Sequence, residues 1–170
     1  RLFGQSAKDV RQLAEEGDAK AQMALGCMLW LGKGCEQNQK EGVKWIRKAA
    51  EQGIAGAQSL LGDICCAGEG GVKQDNDEAV KWWRLAAEQG HAEAQYQLAT
   101  TLNLLGSMAQ QEEAAKWYLA SARQGVADAM WGTAVNYGDG VGVKQDDEQY
   151  FKWMLAAAEA GHDYDPEMVG

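Results

Sequence analysis

Apolar and small residues return along this chain at helical intervals, in short blocks separated by glycine. The block "AEAQYQLATTLNLL", from Ala92 to Leu105, places Ala92, Ala94, Leu98, Ala99 and Leu102 on one side of a helix. "AGAQSLLGDICCAG" puts Ala55, Ala57, Leu61 and Gly62 in the same slots, and side chains this small let a second helix approach closely. A second kind of block follows each first one: "VKWIRKAA", "VKWWRLAA", "AKWYLASA" and "FKWMLAAA". Between them stand "GKGCEQN", "GEGGVKQD" and "GDGVGVKQD", whose glycines suit the left-handed residue that ends a helix. Asn38, Asp75 and Asp146 sit where the second helix must begin, and their oxygens can accept a free backbone N–H. Glu41, Glu78 and Gln149, three residues on, complete a capping box in each case. The third unit departs from this. Its "LLGSMAQQEE" is shorter and reads as lacking the glycine turn, with Gln110 in the capping slot.

The blocks keep time. Gly17, Gly53, Gly90, Gly125 and Gly161 close the phrases "AEEG", "AEQG", "AEQG", "ARQG" and "AEAG", at steps of 36, 37, 35 and 36. Trp45, Trp82, Trp117 and Trp153 step by 37, 35 and 36, so two residue types hold one period. The acidic residues in these phrases fall at helix C-termini, where the dipole disfavours them. One helix pair cannot bury its apolar face alone, so the pairs must stack. The prediction is an all-α, right-handed α/α superhelical solenoid of about four helix–turn–helix repeats, forming a single domain over residues 1–170. Its parts are a half-repeat at 6–16, repeats at about 17–52, 53–89, 90–124 and 125–160, and a partial or capping segment at 161–170. Ser6 with Asp9 reads as the opening cap pair, and Asp165–Pro166 as a further helix start.

A formal net charge of −9 and singly scattered lysines argue against a surface that tracks phosphates. No apolar run approaches the ~18 residues of a membrane span. The chain opens at Arg1 without a charged-then-apolar leader, which reads as a processed form or an excised piece. His91 and His162 share one repeat slot two periods apart, and are expected to be helix-start residues rather than a joint site. Cys65 and Cys66 are adjacent, unlike zinc or redox spacing. Cys65 falls in an inward slot equivalent to Leu29 and Tyr137, so its thiol should be buried. Cys27 and Cys35 flank a helix end and could pair in an oxidising compartment, a question the spacing leaves open. No Ser/His/Asp set, phosphate loop or dinucleotide fingerprint is present. No catalytic, cofactor-binding or metal-binding residue is therefore expected, and the chain does not read as an enzyme.

One helical stripe of the first helices does not repeat. It runs through Met23, Cys27 and Trp30, then Ser59, Asp63 and Cys66, then Tyr96, Thr100 and Asn103, then Trp131, Val135 and Gly138. Irregular, aromatic-bearing positions are what a recognition surface needs. The candidate protein-binding residues are Met23, Trp30, Ser59, Asp63, Tyr96, Thr100, Asn103, Trp131 and Val135. The plainer alternative is that Trp30 and Trp131 cover end or inter-repeat surface.

The phrase "AEQGHAEAQYQLA", the "GxGVxxD" turn and the "AxxW" second helix resemble the Sel-one-like repeat, a relative of the tetratricopeptide repeat. The resemblance runs from about Ala14 to Gly161, in four full copies. Departures are Cys35 where valine is usual, and Gly42 and Tyr150 in the small-residue slot of Ala79 and Ala114. The resemblance implies a scaffold or adaptor whose concave face, lined by the first helices, holds a protein or peptide. It implies bacterial origin, with an exported or periplasmic location favoured over a cytoplasmic one. The alternative it carries is a dedicated neutralising, immunity-type partner of a secreted effector. With the net charge, it points to a neutral or basic partner segment, no nucleic acid and no membrane insertion.

Overall fold

The computed structural model describes residues 7–162, and in it the two kinds of block become alternating α-helices. They are α1 (Ala7–Glu15), α2 (Ala19–Leu31), α3 (Gln39–Glu51), α4 (Ala55–Ala67) and α5 (Asn76–Glu88), then α6 (Ala92–Leu105), α7 (Met108–Ala122), α8 (Ala127–Asp139) and α9 (Asp147–Glu159). Among the described residues there is no strand. Helices α1–α5 belong to one compact unit, Arg1–Gln89, and α6–α9 to a second, Gly90–Gly170. The expected starts at Ser6 and at Asp165–Pro166 lie outside the described residues.

Within a repeat the first helix packs along the second: α2 on α3, α4 on α5, α6 on α7, α8 on α9. Small residues set the distance. A Cβ on Gly26 would lie 2.7 Å from Ile46 and 3.0 Å from the Gly42 carbonyl, and one on Gly42 would lie 2.9 Å from the Gly26 carbonyl. On Gly62 it would lie 2.6 Å from the Trp83 indole. Further along the same seam the sizes are exchanged. In the first repeat, Gly42 lies against the backbone of the large Trp30; in the fourth, Tyr150 lies against Gly138, where a Cβ would come within 2.9 Å of its ring. Tyr150 is therefore large in a small-residue slot because its partner has become glycine.

Each first helix ends on a left-handed glycine, with φ 68 at Gly32, 72 at Gly68, 81 at Gly106 and 70 at Gly140. Gly106 corrects the reading of the third repeat. The glycine turn is present there, only shortened, because Ser107 follows at once as the N-cap of α7. Gln110 is not the cap. It stands three residues on and completes a reciprocal capping box with Ser107. Serine's short hydroxyl reaches the N3 amide, which glutamine in that slot would not do as well.

Asn38, Asp75 and Asp146 cap α3, α5 and α9, accepting the N–H of Glu41, Glu78 and Gln149. The return half of the expected box is replaced. The cap residues' own N–H groups donate to Leu29, Cys65 and Tyr137 carbonyls of the preceding helix, at 2.8, 2.9 and 2.9 Å. That frees Glu41 and Glu78 for another use. Glu41 pairs with Arg11 at 2.8 Å and accepts from Trp45 Nε1, while Glu78 pairs with Arg47 at 2.7 Å and accepts from Trp82 Nε1. Each clamp ties a second helix to the second helix one repeat earlier.

Buried glutamines make a second tie. Gln52 donates to Gln22, Gln89 to Gln58, and Gln124 to Gln95, at 2.8, 2.7 and 2.8 Å. Gln22 and Gln58 in turn donate to the carbonyls of Ala14 and Ala50, in the last turns of α1 and α3. Those helix ends receive an amide donor, so their acidic "AEEG" and "AEQG" phrases need no cation nearby. The fourth repeat abandons both ties. Met130 and Ala160 hold its glutamine slots, Leu119 and Gln149 hold the Arg–Glu slots, and Trp153 Nε1 is buried without a partner.

Two outcomes test this account. Gln58→Ala strands the Gln89 amide and the Ala50 carbonyl, and should cost about 1–3 kcal/mol in urea melts. Gln58→Met with Gln89→Ala, copying the fourth repeat, should cost less than the two single losses together by ~0.5 kcal/mol or more; strict additivity would show that the glutamines do not act as a pair. Glu78 has its pKa lowered, first by the hydrogen bond from Arg47 and next by that from Trp82. A depressed carboxylate adds stability above its ordinary 4.5 and loses it as pH falls through the folded value. Glu78→Gln should therefore lower stability by about 0.5 kcal/mol at pH 7, and the two proteins' melts should converge under acid. A gap that persists at low pH would remove the ion pair from the account.

Candidate functional site

In the first unit, the variable stripe is largely spent on packing. Met23 fills the space over Gly56, where a Cβ would lie 2.9 Å from its methyl group. Trp30 lies on the turn glycine Gly70, 2.8 Å from where a Cβ would stand, as well as beside Gly42. Ser59 is 5% exposed and belongs to the core. Asp63 accepts a 2.9 Å hydrogen bond from Trp83 Nε1. Cys65 is buried, as its inward slot required, and burial pushes its thiol pKa up. All four cysteines are free thiols, Cys27 and Cys35 included.

The second unit arranges its stripe differently. Tyr96 on α6 is half-buried and tilts over Tyr118 of α7, with ring centres 6.1 Å apart. The Thr100 hydroxyl donates to the Tyr96 carbonyl at 3.0 Å and accepts from the Tyr118 hydroxyl at 3.1 Å. Burial raises the Tyr96 phenol pKa, and the Asp128 carboxylate raises it further. Trp131 on α8 stacks on His162, with ring centres 5.6 Å apart and planes 29° from parallel. His162 Nδ1 lies 2.8 Å from Asp128 Oδ1, one turn before Trp131. Asn103 and Val135 are half-buried on the same helices.

The stripe pattern brought Tyr96, Thr100 and Trp131 to one unit but missed Asp128, Tyr118 and His162. His91 behaves as expected of its slot, capping α6 by accepting the Ala94 N–H at 3.3 Å. The His162 ring turns to Asp128 and Trp131 instead. The available signal was the fourth repeat's loss of its glutamine pair. Charge divides as well. Residues 90–170 hold 12 Asp and Glu against 4 Lys and Arg, net −8, while residues 1–89 hold 13 against 12, net −1.

A depression of about 630 Å³ runs along α5, lined by Asp75, Asp77, Glu78, Lys81, Trp82 and Leu85. Two of its carboxylates are already committed, Asp75 to the cap and Glu78 to Arg47. Among the described residues, no group of three or more His, Cys, Asp or Glu is placed to hold a metal ion, and no helix is long and apolar enough to cross a membrane.

Paired helices repeating at one period, with a small-residue seam inside each pair, define an all-α repeat solenoid. The chain belongs to the Sel1 repeat family, whose model matches residues 19–54, 55–91, 92–126 and 127–162. It is similar to c5321, a protective antigen of uropathogenic Escherichia coli strains displaying an SLR fold, with 32% identity and a TM-score of 0.85 over 93% of this chain and 34% of that one. It is also similar to a Sel1 repeat protein from Oxalobacter formigenes, with 32% identity and a TM-score of 0.79 over 91% of this chain and 63% of that one. The chain thus spans about a third of the length of the first and under two thirds of the second. No curated protein matches it.

The division of the stripe into packing and free positions has a measurable consequence. Trp30→Ala should cost about 2–4 kcal/mol, since it empties the space over Gly70. Asn103→Ala should stay within ~0.5 kcal/mol, as expected away from such contacts. Similar losses at both positions in urea melts would show that the two units use their stripes alike.

Proposed function

We propose that this chain is a protein-binding adaptor that uses the variable side of its first helices, with a protein or peptide as partner. One observation carries the reading. The slots that build the repeat recur in nearly every copy, while the residues between them on α6 and α8 change freely and include large aromatics. Sel1 repeats generally serve protein–protein interaction, which supports the same conclusion. Tyr96, Thr100, Asn103, Trp131 and Val135 form the contact surface in the second unit. Met23, Trp30 and Asp63 contribute where their outer edges are open. Tyrosine and tryptophan supply large contact area with few rotatable bonds, which suits them to anchor a partner. The acidic balance favours a neutral or basic partner segment and makes binding weaken with salt.

The test is capture of partners on the immobilised chain, followed by binding of each to Tyr96→Ala and Trp131→Ala. If these are anchors, each change should cost ~2 kcal/mol or more, about thirtyfold in affinity, at temperatures where both variants stay fully folded. Full affinity in the double variant would move the interface off α6 and α8. Lost affinity with a large drop in melting temperature would return the two aromatics to the core.

A further inference from the structure

The surroundings of His162 are not required by the repeat. His91 occupies the same slot and spends its ring nitrogen on a helix cap, whereas the His162 ring lies flat on Trp131 with Nδ1 against Asp128. Asp128 remains 56% exposed. An aromatic face beside a half-open carboxylate matches one side chain best. A guanidinium is planar, stacks on aromatic rings and donates to a carboxylate through a fork of N–H groups. An ammonium is a compact point charge and uses the stacking surface less well. His162 offers the nearest imitation available within the chain, a planar ring with an N–H.

Deepening the adaptor reading, on which this step rests, we propose that Asp128 and Trp131 receive a single arginine side chain of the partner protein, and that His162 is the chain's own stand-in at that place. Two further features fit. The unit carrying the site holds a net −8 against −1 for the other, so a cationic segment is drawn to it. The end of α9 also lacks the glutamine tie of its equivalents. Where Gln52, Gln89 and Gln124 bond to a neighbouring helix, the fourth repeat has Ala160. The His162 N–H stays on the Ala157 carbonyl, so the backbone remains anchored while the ring can leave. The exchange replaces one planar group stacked on Trp131 and paired with Asp128 by another of the same kind.

The experiment uses the 170-residue chain labelled with nitrogen-15 and two probes, acetyl-Ala-Arg-Ala-amide and the same peptide with uncharged, isosteric citrulline. The Trp131 indole N–H, assigned by its loss in Trp131→Phe, reports binding. It should shift saturably with the arginine peptide and at least ~fivefold more weakly with citrulline, the scale of one exposed charge pair. Asp128→Asn should weaken the arginine peptide by a similar ~fivefold, and His162→Ala should tighten it about two- to fivefold by removing the competitor. An unmoved Trp131 signal, equal response to both peptides, or full affinity in Asp128→Asn overturns the site. Weaker binding in His162→Ala overturns the stand-in role. A captured partner protein indifferent to Asp128→Asn overturns this proposal while the adaptor reading stands. An intact arginine response in a chain that captures no partner overturns the adaptor reading, and with it the assignment of the arginine to a partner.

Discussion

Two helices can bring their backbones together only where no Cβ stands between them. In the first repeat, Gly26 and Gly42 meet each other's carbonyls at about the separation a single added carbon would fill. Glycine inside a helix costs about 1 kcal/mol relative to alanine, and this pair accepts that cost twice. The return is proximity. With the helices this close, Ile46 in the first repeat and Trp83 in the second lie directly against the opposing helix, buried to 0% and 3% exposure. Proximity also brings the Asn38 N–H onto the Leu29 carbonyl, with the same bond at Asp75 and Asp146. The turn, the cap and the core of a repeat all depend on how near its two helices stand.

Stacking one repeat on the next is a separate problem, met by polar groups. The Arg–Glu clamps are partly exposed and worth little singly. Each glutamine bond has one buried member, Gln22, Gln58 or Gln95, and leaving that member unmatched costs more than a matched pair contributes. That asymmetry accounts for the fourth repeat, where the slots change in pairs. Methionine and alanine replace both glutamines, and leucine and glutamine replace the arginine and the glutamate. Losing one partner alone would leave a buried amide unsatisfied. Losing both leaves ordinary packing.

Helices, period and helix-starting caps were legible in the sequence because each depends on local chemistry that every copy repeats. Cys65 was legible too, as an inward slot whose equivalents are Leu29 and Tyr137. Gln110 stands at the cap spacing of the other repeats, whereas Ser107, three residues earlier, starts α7 after a shortened turn. The glutamines were visible but silent. A recurring polar residue reads as surface until its partner across the repeat boundary is known, and Gln22, Gln58 and Gln95 are all buried. The stripe was legible as variable, but its variation has two causes. Gly138 stands where the first repeat has Trp30 because a Cβ there would come within 2.9 Å of the Tyr150 ring, which is compensation between packed neighbours rather than recognition.

That distinction bears on function. A variable residue matched by a complementary change in its neighbour is explained within the fold, as with Gly138 and Tyr150. The slot shared by Tyr96 and Trp131 holds Met23 and Ser59 in the first two repeats, and the slot of Asp128 holds Lys20, Gly56 and Glu93. Trp131, His162 and the Asp128 carboxylate meet in the more acidic unit, and none of the three takes part in the glutamine bonds. Stability alone would have been served by repeating the earlier copies. The fourth repeat departs from them in both polar ties and sets Trp131 and Asp128 against His162 instead.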